Sequence, residues 1–183
     1  MNGVRIQAFC LLFLLMLSRP GWAETYDPLL LRAQASIYPK IILLDQDLVK
    51  KMHDGNVVIT IVSTHDDISI ANDLKNNILV KYAGRLGDKG LVVNSTTFDD
   101  IDQQNPATAY IVMQGDKSSF EKVVSYASNN ERIVFSYSYA NLENNALISL
   151  HVKEKTYIYV NKSTVKTYGI NFLPVFYKII KLL

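Results

Sequence analysis

The sequence predicts a single α/β domain, a sandwich in which helices cover both faces of a central, mostly parallel mixed sheet that ends in an antiparallel hairpin. Short apolar, β-branched runs alternate with amphipathic helical patterns through the middle of the chain. Near the C-terminus, two apolar runs are separated only by Lys153-Glu154-Lys155, a spacing typical of a hairpin. No repeat or low-complexity segment interrupts the 183 residues, and a chain of this size can bury one core without disulfides.

The first 23 residues have the features of a secretory signal peptide. Arg5 precedes an apolar run of about 12 residues, which is shorter than the roughly 20 residues that span a bilayer. Gly21 and Ala23 place small residues at the −3 and −1 positions of a cleavage site. We therefore expect cleavage after Ala23 and a folded periplasmic domain over residues 24–183, with an uncleaved membrane anchor as the alternative.

The exported chain is formally neutral and has no cysteine. Without Arg5 and Arg19, 17 basic residues face 17 acidic ones, and the single cysteine, Cys10, lies within the signal. Disulfide and thiol chemistry is therefore not expected. A neutral chain without a clustered basic face is also not typical of nucleic-acid-binding proteins.

Helical periodicity predicts a first helix over residues 26–44, with a kink or break at Pro39 because an interior proline removes a backbone hydrogen bond. A second helix is predicted over residues 66–82, and a third around Phe120 and Ala127. The predicted strands are the runs NVVITIV, GLVVN, TAYIVM, RIVFSYSY, ALISLHV and TYIYVN.

Two short helices are predicted to close the chain, over residues 163–168 and 173–182, with Gly169 as a left-handed residue between them. In the second helix Leu173, Phe176 and Ile180 recur at three- and four-residue spacing and form one apolar face. Such a face either packs in the core or docks a partner. We expect Phe176 to lie in the core.

The loop IVSTHDDIS, residues 61–69, offers hydrolase residue types at the end of a predicted strand. Ser63 would be the nucleophile and His65 its base, but no glycine provides the tight turn of a Gly-x-Ser-x-Gly elbow. Carboxylates at a helix start are explained by capping and by the helix dipole. We interpret the loop as a cap with Asp66 as the N-cap residue, and a hydrolase using Ser63 and His65 as the least favoured alternative.

No catalytic residue, cofactor site or metal site is predicted. His53, His65 and His151 are far apart in the sequence and form no pair at i,i+4 spacing. The loop after the first strand lacks the glycines with which backbone amides approach phosphate. His151 is expected to face the surface from a strand.

Four of the eleven tyrosines fall at period two on candidate neighbouring strands, namely Tyr137, Tyr139, Tyr157 and Tyr159. Cross-strand packing of aromatic rings explains this pattern structurally. An exposed patch that binds a protein partner explains it functionally, because tyrosine is enriched at interface hot spots. Both interpretations remain open at the level of the sequence.

From Glu131 to its end the chain resembles the YfiR family of exported bacterial proteins. The segments RIVFSYSY, ALISLHVKEKTYIYVN, KSTVKTYGINF and VFYKIIKLL follow the family's order of strand, hairpin, short helix, glycine-containing segment and Leu/Lys-rich end. The matching positions are Asn161, Gly169, Ile170, Phe172, Phe176 and Lys178. More distantly, RAQASIYPKII and VVITIVSTHDDISIANDL are similar to the family's first helix and first strand-loop-helix.

The chain departs from the family pattern near its first helix and strand. Leu43-Leu44-Asp45 stands where members often carry Trp-Pro, and residues 61–64 have neither the cysteine nor the glycine often found there. The redox behaviour that depends on a disulfide in the family is therefore not implied for this chain.

The resemblance implies a periplasmic regulator and not an enzyme. It implies binding to the periplasmic part of a membrane-anchored diguanylate cyclase of the YfiN type, which is held inactive. Release of the repressor then raises cyclic di-GMP and favours biofilm. The expected partner is an inner-membrane signalling protein, with a homodimer as a further alternative and with no nucleic acid.

A periplasmic small-molecule binding protein without a signalling partner is the alternative function. Parallel sheets bind ligands at the carboxyl ends of their strands. A pocket there would lie near Ser63 and Asn94.

Overall fold

The computed structural model describes residues 26–101 and 106–183. The predicted signal peptide lies outside these residues. The helices are α1 (Pro28–Ile42), α2 (Leu48–Lys51), α3 (Ile68–Tyr82), α4 (Lys117–Asn129) and α5 (Lys162–Thr167). Short 3₁₀ helices span Tyr139–Leu142 and Phe176–Lys178.

Eight strands form one mixed sheet in the order β2-β3-β1-β4-β5-β6-β7-β8. They are β1 (Asn56–Ser63), β2 (Arg85–Leu86), β3 (Lys89–Thr97), β4 (Ala109–Val112), β5 (Ile133–Ser136), β6 (Ile148–Val152), β7 (Thr156–Val160) and β8 (Ile180–Leu182). All neighbours pair in parallel except β2 with β3 and β6 with β7. The predicted fold class, including the antiparallel hairpin near the C-terminus, is confirmed.

The order of the parallel strands from β3 to β6 is that of doubly wound, flavodoxin-like sheets. In that arrangement the chain reverses direction across the sheet between β1 and β4. The crevice outside the carboxyl ends of these two strands is where such sheets bind ligands. The loop that begins at Ser63 therefore lies at the expected position for a site.

Helices cover both faces of the sheet. On one face, Ser95 of β3 donates to Asn72 of α3 at 2.6 Å, and Tyr38 of α1 stacks on Phe135 of β5 at 4.3 Å between ring centroids. On the other face, Tyr126 of α4 meets the edge of Tyr110 in β4. No helix in the described ranges is long and apolar enough to cross a membrane.

Helix α1 begins at Pro28, where the Asp27 side chain accepts a hydrogen bond from the amide of Leu29, and continues through Pro39 to Ile42. The predicted break at Pro39 is wrong. Tyr38 and Ile41 are buried on either side of the proline. Their burial, together with the hydrogen bond from Tyr38 to the Ser136 carbonyl, compensates for the missing backbone bond.

The predicted helix over residues 173–182 is also wrong. The segment forms the 3₁₀ helix Phe176–Lys178 and then strand β8, which pairs in parallel with β7. Phe176 is fully buried, as expected, and stacks on Phe172 at 4.2 Å. Gly169 has φ of +62°, which confirms its left-handed conformation after α5.

Candidate functional site

The loop after β1 does not form the serine–histidine pair that a hydrolase requires. Ser63 is buried, and its Oγ donates to the carbonyl of Thr64 at 3.0 Å. The His65 ring is exposed and has no hydrogen bond to Ser63 among the described residues. The arrangement provides no base for the serine hydroxyl.

The predicted cap at Asp66 is wrong in its details. Helix α3 begins at Ile68 and Asp67 is the N-cap residue, but no backbone amide of the helix donates a capping hydrogen bond to its carboxylate. Instead the amide of Asp67 donates to Thr64 Oγ1 at 3.2 Å. The Asp67 carboxylate is used elsewhere, as the acceptor for the hydroxyl of Tyr26.

Tyr26 occupies the crevice between the loops that follow β1 and β4. Its hydroxyl donates to Asp67 Oδ2 at 2.8 Å and accepts from the amide of Gln114 at 3.2 Å. Burial and the hydrogen bond to Asp67 raise the pKa of the Tyr26 hydroxyl above its ordinary value of about 10. This crevice is thus closed by a side chain of the protein itself.

Tyr137 supports Tyr26 and lies apart from the other three predicted tyrosines. It is 5% exposed, its ring centroid lies 4.6 Å from that of Tyr26, and its hydroxyl accepts from the amide of Asp27 at 2.7 Å. A buried ring with these neighbours cannot contact a partner directly. The predicted partner-binding role of Tyr137 is therefore corrected to a role in holding the N-terminal end of the domain.

The other three tyrosines form one cluster at the surface, here called the tyrosine–lysine cluster, in which Tyr139 is exposed and Tyr157 and Tyr159 are half-buried. It surrounds a hollow of about 460 Å³, lined by Tyr139, His151, Lys153, Tyr157, Tyr159 and Lys181. Antiparallel register places His151 of β6 opposite Tyr157 of β7, and parallel register places Tyr159 opposite Lys181 of β8. The 3₁₀ helix after β5 contributes Tyr139.

Ring contacts fix the geometry of this cluster. The Tyr139 centroid lies 4.8 Å from that of Tyr159 in an edge-on arrangement, and 5.7 Å from that of His151. Lys181 Nζ lies 3.7 Å from the centre of the Tyr157 ring, within the range of a cation–π interaction. The cluster therefore presents aromatic edges and faces together with two exposed ammonium groups.

The sequence predicts the tyrosines of the cluster but not Lys181, because the spacing of Leu173, Phe176 and Ile180 favours a helix over residues 173–182. The alternation Ile180-Lys181-Leu182 is the period-two signal that would have indicated a strand. His151 faces the surface from β6, as predicted, and is half-buried by its aromatic neighbours.

A second hollow of about 400 Å³ lies on the sheet face that carries Tyr110. Its floor includes Thr60, Asn94 and Tyr110. A ring nitrogen of His53, at the rim, hydrogen-bonds the carbonyl of Pro106.

Ser63 and Asn94 lie on opposite faces of the sheet. Asn94 pairs with Thr60 and shares its face, whereas Ser63 is three residues further along β1, and side chains alternate between the faces along a strand. The predicted joint pocket of Ser63 and Asn94 does not form.

The described residues include no group of three or more His, Cys, Asp or Glu side chains that could hold a metal ion.

No protein-family model and no curated protein matches this chain. Among solved structures, it is similar to a conserved domain protein from Vibrio cholerae O1 biovar El Tor strain N16961, with a TM-score of 0.57 and 13% identity over 83% of this chain and 59% of that one. It is also similar to an ABC domain from Streptococcus pneumonia in complex with L-Trp, with a TM-score of 0.50 and 14% identity over 75% of this chain and 58% of that one. The chain spans less than two thirds of the length of either neighbour, and likeness at this level of identity shows the shared α/β fold.

Proposed function

We propose that this chain is a periplasmic regulatory protein that binds the periplasmic part of a membrane-bound signalling protein and holds it inactive, and that this receptor is a diguanylate cyclase. The observation that carries the proposal is the tyrosine–lysine cluster, a surface hollow with exposed Tyr139, Lys153 and Lys181 and half-buried Tyr157 and Tyr159. The resemblance of the C-terminal third to the YfiR family supports the choice of receptor.

The chemistry of the cluster is suited to binding a protein. Tyrosine rings offer a large contact area at a low cost in side-chain entropy, and each hydroxyl can form a directed hydrogen bond. Tyr139 is 39% exposed, and the rings of Tyr157 and Tyr159 are accessible beside it. Lys153 and Lys181 favour an acidic receptor face, because complementary charge steers encounter and selects the partner.

Inhibition requires that the protein bind the inactive state of the receptor more tightly than the active state. A regulator of this kind needs no catalytic group, only a surface that fits one state. Release or weakening of the complex then raises the fraction of receptor molecules in the active state.

Photocrosslinking tests the contact directly. We expect p-benzoyl-phenylalanine placed at Tyr157 or Tyr159 in living cells to form an adduct, on irradiation, with a membrane protein that mass spectrometry identifies by its diguanylate cyclase domain. The matched control is Val80 on α3, which is 84% exposed and lies outside the cluster. It should give no such adduct.

Truncating two side chains of the cluster to alanine tests the function. The double variant Tyr157→Ala, Tyr159→Ala removes two candidate hot-spot side chains and should weaken receptor binding by about 2 kcal/mol or more, roughly 30-fold. Cellular cyclic di-GMP should rise towards the level of a deletion strain, whereas Val80→Ala, at an exposed position of α3, should keep the wild-type level. An unchanged cyclic di-GMP level at normal abundance of the double variant would contradict the proposal.

The hollow that contains Asn94 favours a second candidate function, the binding of a small polar molecule. Its volume of about 400 Å³ is that of an ordinary ligand site. One structural neighbour was solved with L-Trp, so amino acids are the first ligands to screen.

A thermal-shift screen tests this second candidate. A ligand at 100 times its Kd should add about 2.7 kcal/mol to the free energy of unfolding. Asn94→Ala should abolish that gain, while Asn76→Ala on the exposed surface of α3 should keep it. A screen in which no compound raises the melting temperature would remove this candidate.

A further inference from the structure

Charge is distributed unevenly along the chain, although the chain without its predicted signal peptide is formally neutral. Residues 24–152 hold eleven basic and sixteen acidic residues, a net charge of −5. Residues 153–183 hold six lysines and a single acidic residue, Glu154, a net charge of +5. An anionic surface therefore attracts the C-terminal part and repels the rest, which orients the molecule.

The protein's own carboxylates do not neutralise these lysines. The four ion pairs among the described residues are Lys50–Asp47, Lys51–Asp45, Lys89–Asp88 and Lys117–Glu121. None of them includes a lysine after residue 152. The positive charge of the C-terminal part is thus available to a binding partner.

Exposed apolar side chains share this part of the molecule. A hollow of about 210 Å³ is lined by Lys162, Val165, Lys166, Tyr177 and Leu182. The carbonyl of Leu183 accepts from the amide of Lys162 at 3.1 Å, which holds Leu183 beside the hollow. These six residues are called the basic apolar end. Leu182 and Leu183 are 50% and 54% exposed.

The fold leaves apolar side chains near the end of the sheet exposed to solvent. Phe176 is fully buried, whereas its neighbours Val175 and Tyr177 are 51% and 45% exposed. Strand β8 is the last strand of the sheet, so it has a neighbour on one side only. Contiguous exposed apolar surface with a polar rim is typical of an interaction site.

We propose that the basic apolar end docks on the surface of an anionic phospholipid membrane. Leu182, Leu183 and Tyr177 enter the boundary between headgroups and acyl chains, while Lys162 and Lys166 meet the lipid phosphates. Apolar area and basic charge together are what bind a peripheral protein to an anionic bilayer, where neither suffices alone.

Two features favour a membrane over a protein partner for this end. The basic apolar end has one aromatic residue beside two lysines and aliphatic side chains, unlike the largely aromatic tyrosine–lysine cluster. Protein–protein interfaces are enriched in aromatic residues and arginine and depleted of lysine. Lysines around exposed leucines are instead typical of membrane-surface segments. This inference goes beyond the proposed function, and protein-free vesicles test it independently of any receptor.

Vesicle binding of the full chain, purified after export, provides the test. We expect it to co-sediment with vesicles of phosphatidylethanolamine and phosphatidylglycerol at about 0.01 M salt, but not with phosphatidylcholine alone. Binding should be lost at about 1 M salt, where the Debye length falls to ~3 Å. If the apolar run of residues 6–17 were still attached, it would bind phosphatidylcholine vesicles as well. The phosphatidylcholine control therefore separates binding by that run from binding by the basic apolar end.

Variants assign the binding to this end. Lys162→Gln with Lys166→Gln should lower the partition coefficient at least roughly tenfold, since each lysine near an anionic surface contributes about fivefold. The control is Lys81→Gln with Lys122→Gln, which removes the same charge from exposed positions outside this end and should bind like the wild type.

A wild type that does not bind anionic vesicles at low salt overturns the proposal without any variant. Equal losses in the two lysine pairs also overturn it, because net charge alone would then explain the binding. Light scattering, which measures the oligomeric state, tests whether this end binds a second copy of the chain instead of a membrane. Dimers that disappear in Leu182→Ser with Leu183→Ser, without vesicle binding by the wild type, would assign this end to a second copy of the chain.

Discussion

Residues of one type serve three different purposes in this protein, and tyrosine shows this most clearly. Tyr38 is fully buried and donates to a backbone carbonyl, Tyr26 closes a crevice, and Tyr157 carries an ammonium group on its exposed face. The difference lies in the neighbours of each ring. Residue type and spacing alone could not separate them.

At the residue scale, we predict that Tyr26→Phe lowers the free energy of unfolding by about 1–2 kcal/mol at pH 7, because the hydroxyl bonds both to the Asp67 carboxylate and to the Gln114 amide. Urea unfolding measures this loss. Tyr177→Phe, whose hydroxyl has no hydrogen bond among the described residues, should leave stability unchanged.

The same variant has a defined pH dependence. The folded-state pKa of Tyr26 is raised above about 10, so the contribution of its neutral hydroxyl is fully present below pH 10. Above that pH the unfolded tyrosine releases its proton first, and stability falls. The difference between wild type and Tyr26→Phe should therefore shrink between pH 10 and about pH 12. A difference that grows over this range would show that the phenolate is favoured in the folded state.

At the element scale, the end of the chain illustrates how pairing decides secondary structure. Leu173, Phe176 and Ile180 fit a helical face, yet residues 180–182 extend β7 in parallel register. Without β8, β7 would be the edge of the sheet, with a row of unpaired amides and carbonyls. Satisfying these groups outweighs a helical preference that extends over fewer than three turns.

We predict that Phe176→Ala lowers the free energy of unfolding by about 3–5 kcal/mol, because it removes a fully buried ring that stacks on Phe172. This is a large part of a typical total of about 5–15 kcal/mol. Thermal and urea unfolding measure the loss. If the alanine variant does not accumulate, Phe176→Leu should still show a smaller destabilisation.

The control for this prediction is Val175→Ala, at the next position in the chain. Val175 is 51% exposed, and its truncation should change stability by no more than about 0.5 kcal/mol. Equal melting temperatures for Phe176→Ala and wild type would show that the ring does not contribute to the core.

At the scale of the whole molecule, residues 151–183 supply most of the surface that we assign to binding. They contribute every residue of the tyrosine–lysine cluster except Tyr139, and all of the basic apolar end. The net charge of −5 over residues 24–152 opposes the +5 over residues 153–183. The proposed receptor contact and the proposed membrane contact thus lie on one part of the sheet.

The sequence by itself determined the class of fold and the location of most elements, because alternation, periodicity and turn residues are local signals. It predicted the buried strand β1, the hairpin of β6 and β7, the left-handed Gly169 and the burial of Phe176. These features depend on neighbours close along the chain, or on apolar character that any packing must bury.

Tertiary structure alone decided which of these side chains meet. Tyr26 and Asp67 are 41 positions apart in the sequence and share a hydrogen bond, while Ser63 and Asn94 lie on opposite faces of the sheet. Lys181 reaches Tyr157 only because β8 pairs with β7. Strand order and register set these contacts, and they follow from the lowest free energy of the whole packed sheet rather than from any local pattern.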